Sequence, residues 1–443
     1  MKLLLINPDL QTVRTRTKRY NRAWPPLDLL NSAAILRQAG HEVSLIDARA
    51  TGAATDEIRQ AAAMSDLVVL DSSPLDRWQC PDPNWKGITA LARNLFPEKL
   101  ILTGAHGTVQ PELMLNESGA AALIRGEFED SLLAMANAGA DPKGIPGLSY
   151  QDSGRTIHEP DQTPINLDLL PLPAYDLIDL KSYGYELLGR NLALLETSRG
   201  CPFSCSFCLK AMYGSGIRIK SLKRVLAEVE EVVGRFGAKF VYFIDLEFSL
   251  NRENTLNLCQ ELIRMNLDFR WCCQTRADTV DRELLALMKE AGCTLIHFGV
   301  ETGSPRLLDE TKKKISLEQI RASVNYCHDL GLATACFFLF GLPGETEDDR
   351  QATVRAAREL NPTFASFHVA SPYPGTSLYQ QADEDDPFPV CLNREHDLDQ
   401  LSRQAKRSFL SFYLRPAYIM ARLTEGTFRE KIDRARLFWE FVR

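Results

Sequence analysis

No run of about 18 apolar residues occurs anywhere in the 443-residue chain, so no stretch has the length a membrane-spanning helix needs. The opening segment, MKLLLINPDL, holds an apolar run too short for a secretory signal and is interrupted by Pro8. A cytoplasmic protein is expected. An excess of positive charge is missing too. With 51 Lys and Arg against 58 Asp and Glu the formal charge is −7, which argues against a broad electrostatic footprint for nucleic acid or for an anionic membrane surface. Without an export signal, the 11 cysteines are expected to be reduced thiols available to metal rather than a disulfide framework. At 45% hydrophobic and 25% charged residues the composition is that of a folded protein, and the length suits two or three domains.

Against this background one stretch stands out. Thr197 to Cys208, TSRGCPFSCSFC, spaces Cys201, Cys205 and Cys208 as CxxxCxxC directly after the apolar run Leu192 to Leu195. Closely spaced thiolates let one loop wrap several faces of an iron–sulfur cluster, and three ligands leave one iron open for a substrate or cofactor. A structural zinc site would want a fourth ligand nearby. Three ordinary thiols are the alternative.

This loop, with Phe207 before its last cysteine, resembles the radical S-adenosylmethionine (SAM) enzymes. The resemblance implies that Cys201, Cys205 and Cys208 bind a [4Fe–4S] cluster. It also implies that the open iron chelates SAM and that an electron from the cluster releases a 5'-deoxyadenosyl radical.

Ahead of the loop, short apolar runs alternate with helical stretches. Lys2 to Ile6, Glu42 to Asp47, Leu67 to Asp71 and Leu100 to Thr103 are expected as strands, and Leu27 to Gln38, Asp56 to Ala63 and Trp85 to Leu95 as helices. The pattern predicts a Rossmann-like, doubly wound parallel sheet, which binds ligands at the carboxyl ends of its strands. The loops there resemble the cobalamin-binding domain that precedes many radical SAM enzymes. The family pattern DxHxxG, SxL and GG corresponds to Asp47-Ala-Arg49-Ala-Thr-Gly52, Ser73-Pro-Leu75 and Gly104-Ala105. Arg49 stands where that family places its cobalt-ligating histidine, and a guanidinium cannot give up a proton to coordinate metal, so the implied cobalamin is not His-ligated. Trp24-Pro-Pro-Leu27 and Arg125-Gly-Glu-Phe-Glu129 add to the resemblance. Glycines serving only tight turns are the alternative. Of the two histidines here, His41 follows a glycine at a helix end and reads as a cap, whereas His106 falls in a ligand loop.

From Leu192 the alternation resumes with six strands separated by helices, predicting a partial (β/α)6 TIM-type barrel with chemistry at its strand ends. Asp245, Glu247, Gln274, Arg276 and Asp278 are polar groups at those ends, with N-capping as the alternative role for an Asp or Ser. By resemblance Glu301 and Gly303 hold SAM, Gly341 allows close approach to adenine, and Ser371 closes the last strand. Cys272, Cys273, Cys293 and Cys336 lack metal spacing and read as packed thiols, a catalytic thiol at Cys272 or Cys273 being the alternative. Lys312-Lys-Lys314 reads as a solvated loop entering a helix.

Four segments are expected: a cobalamin domain over 1–140, a Pro/Gly-rich linker over 141–190, the radical SAM barrel over 191–376, and a small helical C-terminal region over 377–443. In the last, Phe412-Tyr-Leu-Arg415-Pro would cap the barrel mouth. The resemblance implies methylation of an unactivated centre of a small molecule, with flavodoxin or ferredoxin as electron donor and neither nucleic acid nor membrane insertion involved. An anaerobic oxidative cyclase or rearrangement enzyme, as in bacteriochlorophyll synthesis, and a cluster-bearing redox sensor are the alternatives. No catalytic residue is singled out.

Overall fold

The computed structural model describes residues 1–9, 23–73, 84–382, 386–392, 395 and 397–424. Leu75 lies outside them.

The N-terminal sheet begins with β1 (Lys2–Asn7), α1 (Leu27–Gln38), β2 (Glu42–Asp47), the single turn α2 (Ala48–Thr51), α3 (Thr55–Ala63) and β3 (Leu67–Asp71). It continues through α4 (Trp85–Arg93), β4 (Leu100–Thr103), α5 (Ala105–Val109), α6 (Pro111–Ser118), β5 (Ala122–Ile124) and α7 (Glu129–Asn137). These strands are parallel in the order β2-β1-β3-β4-β5. Leu3 and Leu5 of β1 enter the core with α1 and α7, while Leu4 and Ile6 enter the opposite core with Ile58, Ile88 and Met114. Burial on both faces is why the strands read as unbroken apolar runs. The order reverses between β1 and β3, and a doubly wound sheet binds its ligand at such a point.

The stretch expected to be a linker contributes structure of its own. Strands β6 (Leu148–Asp152) and β7 (Arg155–His158) form an antiparallel hairpin that extends the sheet beyond β5, so a boundary at residue 140 would cut the sheet. Its turn is Ser153-Gly154, both at positive φ (51° and 78°), the geometry that closes two-residue hairpins with the twist of their strands. A second hairpin, β8 (Gly184–Tyr185) with β9 (Gly189–Arg190), leads into the barrel.

The barrel sheet starts at β10 (Leu192–Leu195), followed by the small pair β11 (Ser198–Arg199) and β12 (Arg218–Ile219), then α8 (Leu222–Glu230) and β13 (Phe240–Phe243). Next come α9 (Arg252–Met265), β14 (Arg270–Thr275), α10 (Arg282–Glu290), β15 (Cys293–Glu301), α11 (Pro305–Glu310), α12 (Leu317–Leu330), β16 (Ala333–Phe340), α13 (Glu347–Leu360) and β17 (Phe364–Val369). The six parallel strands run β10-β13-β14-β15-β16-β17 and leave the barrel open between the first and the last. Helices α8, α9, α10, α12 and α13 begin at Ser221, Asn251, Asp281, Ser316 and Thr346, whose side chains each accept a first-turn backbone N–H. Ser316 and Thr346 form reciprocal capping boxes with Gln319 and Asp349.

Helix α14 (Leu398–Tyr413), capped by Asp397, and α15 (Pro416–Thr424) follow. Leu398 and Leu401 of α14 pack with Phe340 and Val369 at the strand ends, but the aromatic residues expected to cap the mouth lie at the other end of β17. Tyr413 Oη bonds both backbone groups of Ala365 at 3.0 and 3.1 Å, and Tyr418 Oη donates to the Thr363 carbonyl at 2.7 Å. Aromatic residues from 412 onward thus cover the unpaired edge at the start of β17, which would otherwise present open backbone groups.

Candidate radical cluster and cofactor site

Asp245, just beyond β13, anchors the start of the cysteine loop. Its carboxylate accepts from Thr197 N at 3.0 Å, Thr197 Oγ1 at 2.6 Å and Ser198 Oγ at 2.6 Å, and burial pushes its carboxyl up to about 6. Gly200 follows at φ 89°, where a Cβ would fall 2.1 Å from the Gly216 carbonyl oxygen, so only glycine fits. Cys201, Cys205 and Cys208 are half-buried, and no disulfide joins any cysteine among the described residues. Ser206 stitches the middle of the loop to the rest of the barrel, donating its N–H to the Thr311 carbonyl at 3.0 Å and accepting from Leu378 N at 3.1 Å. Burial pushes the Cys201 thiol up. The charges of Arg276 and Lys313 face Cys205. Among the described residues no three His, Cys, Asp or Glu converge on one metal ion. A cubane does not require that, since each thiolate takes a different iron.

Arg199, two residues before Cys201, is 1% exposed and reaches across to the N-terminal sheet. Its guanidinium meets Glu129 at 2.6 Å, Glu196 at 2.9 Å and Glu127 at 3.1 Å, beneath the Tyr213 ring at 5.0 Å. Arg218 adds a second cation to Glu127, and Lys220 bonds Glu228 at 2.9 Å. Burial pushes the neighbouring Asp28 well above the usual carboxylate range. Glu127 and Glu129 belong to the Arg125–Glu129 stretch that sequence comparison tied to a cobalamin domain, but their partner was not legible there.

At the end of β15, Glu301 adopts φ 67°, a conformation non-glycine residues avoid, at a register shift between Gly299 and Glu301. Its carboxylate pairs with Lys313 Nζ at 2.7 Å, both residues buried. Room for the pair comes from Gly299, whose Cβ would lie 2.2 Å from Glu301 Oε1. Lys313 was expected in a solvated basic loop. Positive φ at Lys312 and Lys314 turns that loop so that its middle lysine points inward, a conformation the composition does not announce. Phe207, the aromatic residue of the cysteine motif, lies 5.8 Å from the Lys313 ammonium.

The other expected SAM residues are placed less uniformly. Gly303 packs under α13, where a Cβ would meet the Ala352 carbonyl oxygen at 2.3 Å, and its N–H donates to Thr353 Oγ1. Gly341 N–H donates to Glu345 at 2.7 Å, and burial pushes that carboxyl up to about 7. Ser371 donates to the Val390 carbonyl at 3.0 Å. Glu247 caps the β14 end, accepting from Arg276 N at 2.8 Å and from Thr279 Oγ1 at 2.7 Å. Cys272, Cys273, Cys293 and Cys336 are buried, and burial raises the thiols of Cys272, Cys273 and Cys336, as suits packed thiols.

In the N-terminal sheet Asp47 N-caps α2 through Ala50 N at 3.1 Å and accepts from Tyr183 Oη at 2.7 Å. Arg49 lies on that turn and Gly52 ends it at φ 72°. Gly104, at φ 94°, sits in a cradle of side-chain oxygens, where a Cβ would fall 2.6 Å from Asp71 Oδ1 and from Ser73 Oγ. Ser73 Oγ accepts from Ala105 N at 2.6 Å. His106 is buried, its Nδ1 2.7 Å from the Ser72 carbonyl and its ring edge-on to Phe388 at 5.0 Å. His41 caps α1 through its backbone, donating its N–H to the Leu36 carbonyl at 3.1 Å, while its ring lies 3.0 Å from Asn137. Asn7 Oδ1, Ser72 Oγ and Thr103 Oγ1, at the adjoining ends of β1, β3 and β4, are buried with no hydrogen-bond partner among the described residues. Such atoms cost free energy unless something polar reaches them.

Residues 195–357 match the Radical SAM superfamily. An uncharacterised methyltransferase of Pyrococcus horikoshii is 30% identical over 449 residues, covering 96% of this chain and 95% of that protein. The anaerobic magnesium-protoporphyrin IX monomethyl ester cyclase of Rubrivivax gelatinosus is 26% identical over 456 residues, covering 97% and 80%. Among solved structures, the radical SAM methyltransferase TsrM from Kitasatospora setae, with cobalamin and a [4Fe–4S] cluster bound, superposes with a TM-score of 0.72 at 19% identity, covering 94% of this chain and 89% of that one. The two-sheet architecture is therefore shared along nearly the whole length. With its cysteine loop at the head of an open parallel barrel, the chain belongs to the radical SAM superfamily.

Proposed function

We propose that the chain is a cobalamin-dependent radical SAM enzyme that methylates an unactivated centre of a small-molecule substrate. The observation that carries this reading is the buried Arg199 clasp. It joins the thiol loop directly to the sheet whose strand ends form a ligand crevice, which holds two cofactor sites at a fixed separation.

Cys201, Cys205 and Cys208 would ligate the cluster, and Arg276 and Lys313 beside Cys205 suit its negative charge. SAM would lie against Glu301, with Gly303, Gly341 and Ser371 shaping its surroundings. Cobalamin would occupy the ends of β1 to β4, bounded by Asp47, Arg49, Gly52, Ser73, Gly104, Ala105 and His106. The orphaned oxygens of Asn7, Ser72 and Thr103 fit a ligand rich in hydrogen-bond donors. The corrin unit would comprise residues 1–140 together with the 148–158 hairpin, and the barrel unit residues 191–376.

When bound, the cluster and SAM supply a 5'-deoxyadenosyl radical and the corrin supplies a methyl group. The chain itself positions and excludes. Lys313 holds the Glu301 carboxylate in one orientation, where it would accept hydrogen bonds from the amino group or ribose of SAM. Phe388 packs against both Trp85 and His106, bringing the segment after the barrel onto the N-terminal sheet. A one-electron protein donor such as flavodoxin or ferredoxin would deliver the reducing equivalent. Among the described residues no helix is long and apolar enough to cross a membrane.

The similarity to the Rubrivivax cyclase supports a second reading, oxidative ring closure without methyl transfer. Anaerobic reconstitution with iron, sulfide and cobalamin, followed by product analysis from SAM under reduction with candidate substrates, separates the two. Both 5'-deoxyadenosine and S-adenosylhomocysteine are expected for the methylase; 5'-deoxyadenosine alone would move the assignment to the cyclase. Cys205→Ala is expected to lose the cluster's visible absorption and all SAM cleavage. Retention of both would remove the assignment altogether.

A further inference from the structure

The barrel strands differ sharply between their two faces. Residues directed at the surrounding helices, Val241, Phe243, Cys273, Phe298, Cys336 and Phe338, are fully buried. Their inward-facing neighbours Tyr242, Gln274, Phe337 and Ser366 are only half-buried, and His368 is exposed. A closed eight-stranded barrel fills this space with side chains. Here it is an open chamber, floored by Cys272, Leu295 and Ala335 packed against Leu187 and Leu188.

Its wall is an arc of rings. Trp24 lies 5.8 Å from Tyr242, Tyr242 5.2 Å from His297, His297 5.7 Å from Phe337, and Phe337 6.0 Å from His368, while Tyr185 contacts Trp24, Tyr242 and His297. A hydrogen-bond chain runs along it. Tyr242 Oη donates to Gln274 Oε1 at 3.3 Å, so its oxygen accepts from His297 Nδ1 at 3.0 Å, and Nε2 of the same ring accepts from Tyr185 Oη at 3.2 Å. The neutral imidazole has one donor and one acceptor, and this directionality assigns its proton to Nδ1. Burial pushes His297 down to about 3, so that ring is neutral, while desolvation lowers His368 against the opposing pull of the Glu301 charge. Glu301, farther along β15, is already compensated by Lys313.

We propose that this chamber is the substrate site and takes a neutral, planar aromatic or conjugated ring system, stacked on Phe337 and His368 and oriented by the Tyr185–His297–Tyr242–Gln274 chain. The proposal rests on the radical SAM reading above and names the substrate class for it. Aromatic faces favour flat ligands of matching shape. A charged group brought among these rings would lose its hydration without gaining a counter-ion.

Equilibrium dialysis of the reconstituted protein against three probes of one size tests this: 2-naphthol, its saturated counterpart 2-decalol and its charged counterpart 2-naphthoate. The expected result is that 2-naphthol binds at least tenfold tighter than either of the others. Phe337→Ala, Tyr242→Phe and the exposed-site variant His368→Ala should each weaken 2-naphthol at least fivefold while iron content and SAM binding stay at the parent level. Equal affinity for the three probes, or unchanged 2-naphthol affinity in His368→Ala and Phe337→Ala, would overturn the proposal. Because dialysis requires no turnover, a protein that binds 2-naphthol selectively but forms no S-adenosylhomocysteine would refute methyl transfer and leave the chamber assignment standing.

Discussion

Arg199 and Glu127, 72 residues apart in sequence, form an ion pair at 3.1 Å in which the arginine side chain has no exposed surface. The pair crosses from the cysteine loop to the N-terminal sheet, so the loop's position is set by the opposite sheet as well as by its own strand.

Replacing Arg199 by Ala takes the guanidinium from the buried Glu129 and removes one of two cations from Glu127 and Glu196, which keep Arg218 and Lys220. Breaking a buried ion network in this way costs about 3–5 kcal/mol. Denaturant unfolding of the variant should show a loss of that size, and Arg199→Lys a smaller one, because an ammonium keeps the charge but not the planar fork. A change below 1 kcal/mol in Arg199→Ala would mean the network is not a stabilising junction.

Gly104→Ala places a methyl group against the oxygens of Asp71 and Ser73 at a φ of 94°. Cobalamin retention, read from corrin absorbance after desalting, should fall at least tenfold, with cluster iron unchanged. Parent-level retention would place the corrin away from the β4 end.

Gly299→Ala forces a Cβ into the Glu301–Lys313 pair. The expected effect is at least tenfold weaker SAM binding by equilibrium dialysis with the cluster intact. Unaltered SAM affinity would separate Glu301 from the SAM site.

The Asp245 carboxyl is raised to about 6 in the folded chain from an ordinary value of 3.8. Its protonated form is therefore favoured by folding, and its contribution to stability is full below about pH 4 and lost as pH rises to about 6, amounting to about 3 kcal/mol. The unfolding free energy of the parent should decline across that window relative to Asp245→Asn, whose amide does not titrate. Parallel pH profiles for the two proteins would show that Asp245 does not titrate in this range.

Much of this molecule was legible in its residues because the relevant signals are local. The alternation of apolar runs with helices marked ten barrel and sheet strands close to their observed bounds, since strands buried on both faces must be continuously apolar. Capping residues such as Ser221, Ser316 and Thr346 carry helix starts in their own side chains. The spacing of Cys201, Cys205 and Cys208 is likewise a property of a dozen consecutive residues. The 148–158 hairpin was less visible, since its partner strand is the short β5 and its sequence is set among glycines and prolines.

Tertiary structure decided what depends on distant partners. Lys313 became a buried counter-ion of Glu301 only because positive-φ residues on either side turn it inward. His297 became a neutral member of a hydrogen-bond chain only because Tyr185 and Tyr242 arrive on both of its nitrogens. The aromatic residues at 412–418 went to the β17 edge, where unpaired backbone groups required cover, rather than to the mouth. Local pattern thus determined the elements and the spacing of the three loop thiols. Which charges are paired and which barrel face stays open follow from long-range packing, in which each group's environment is supplied by residues far away along the chain.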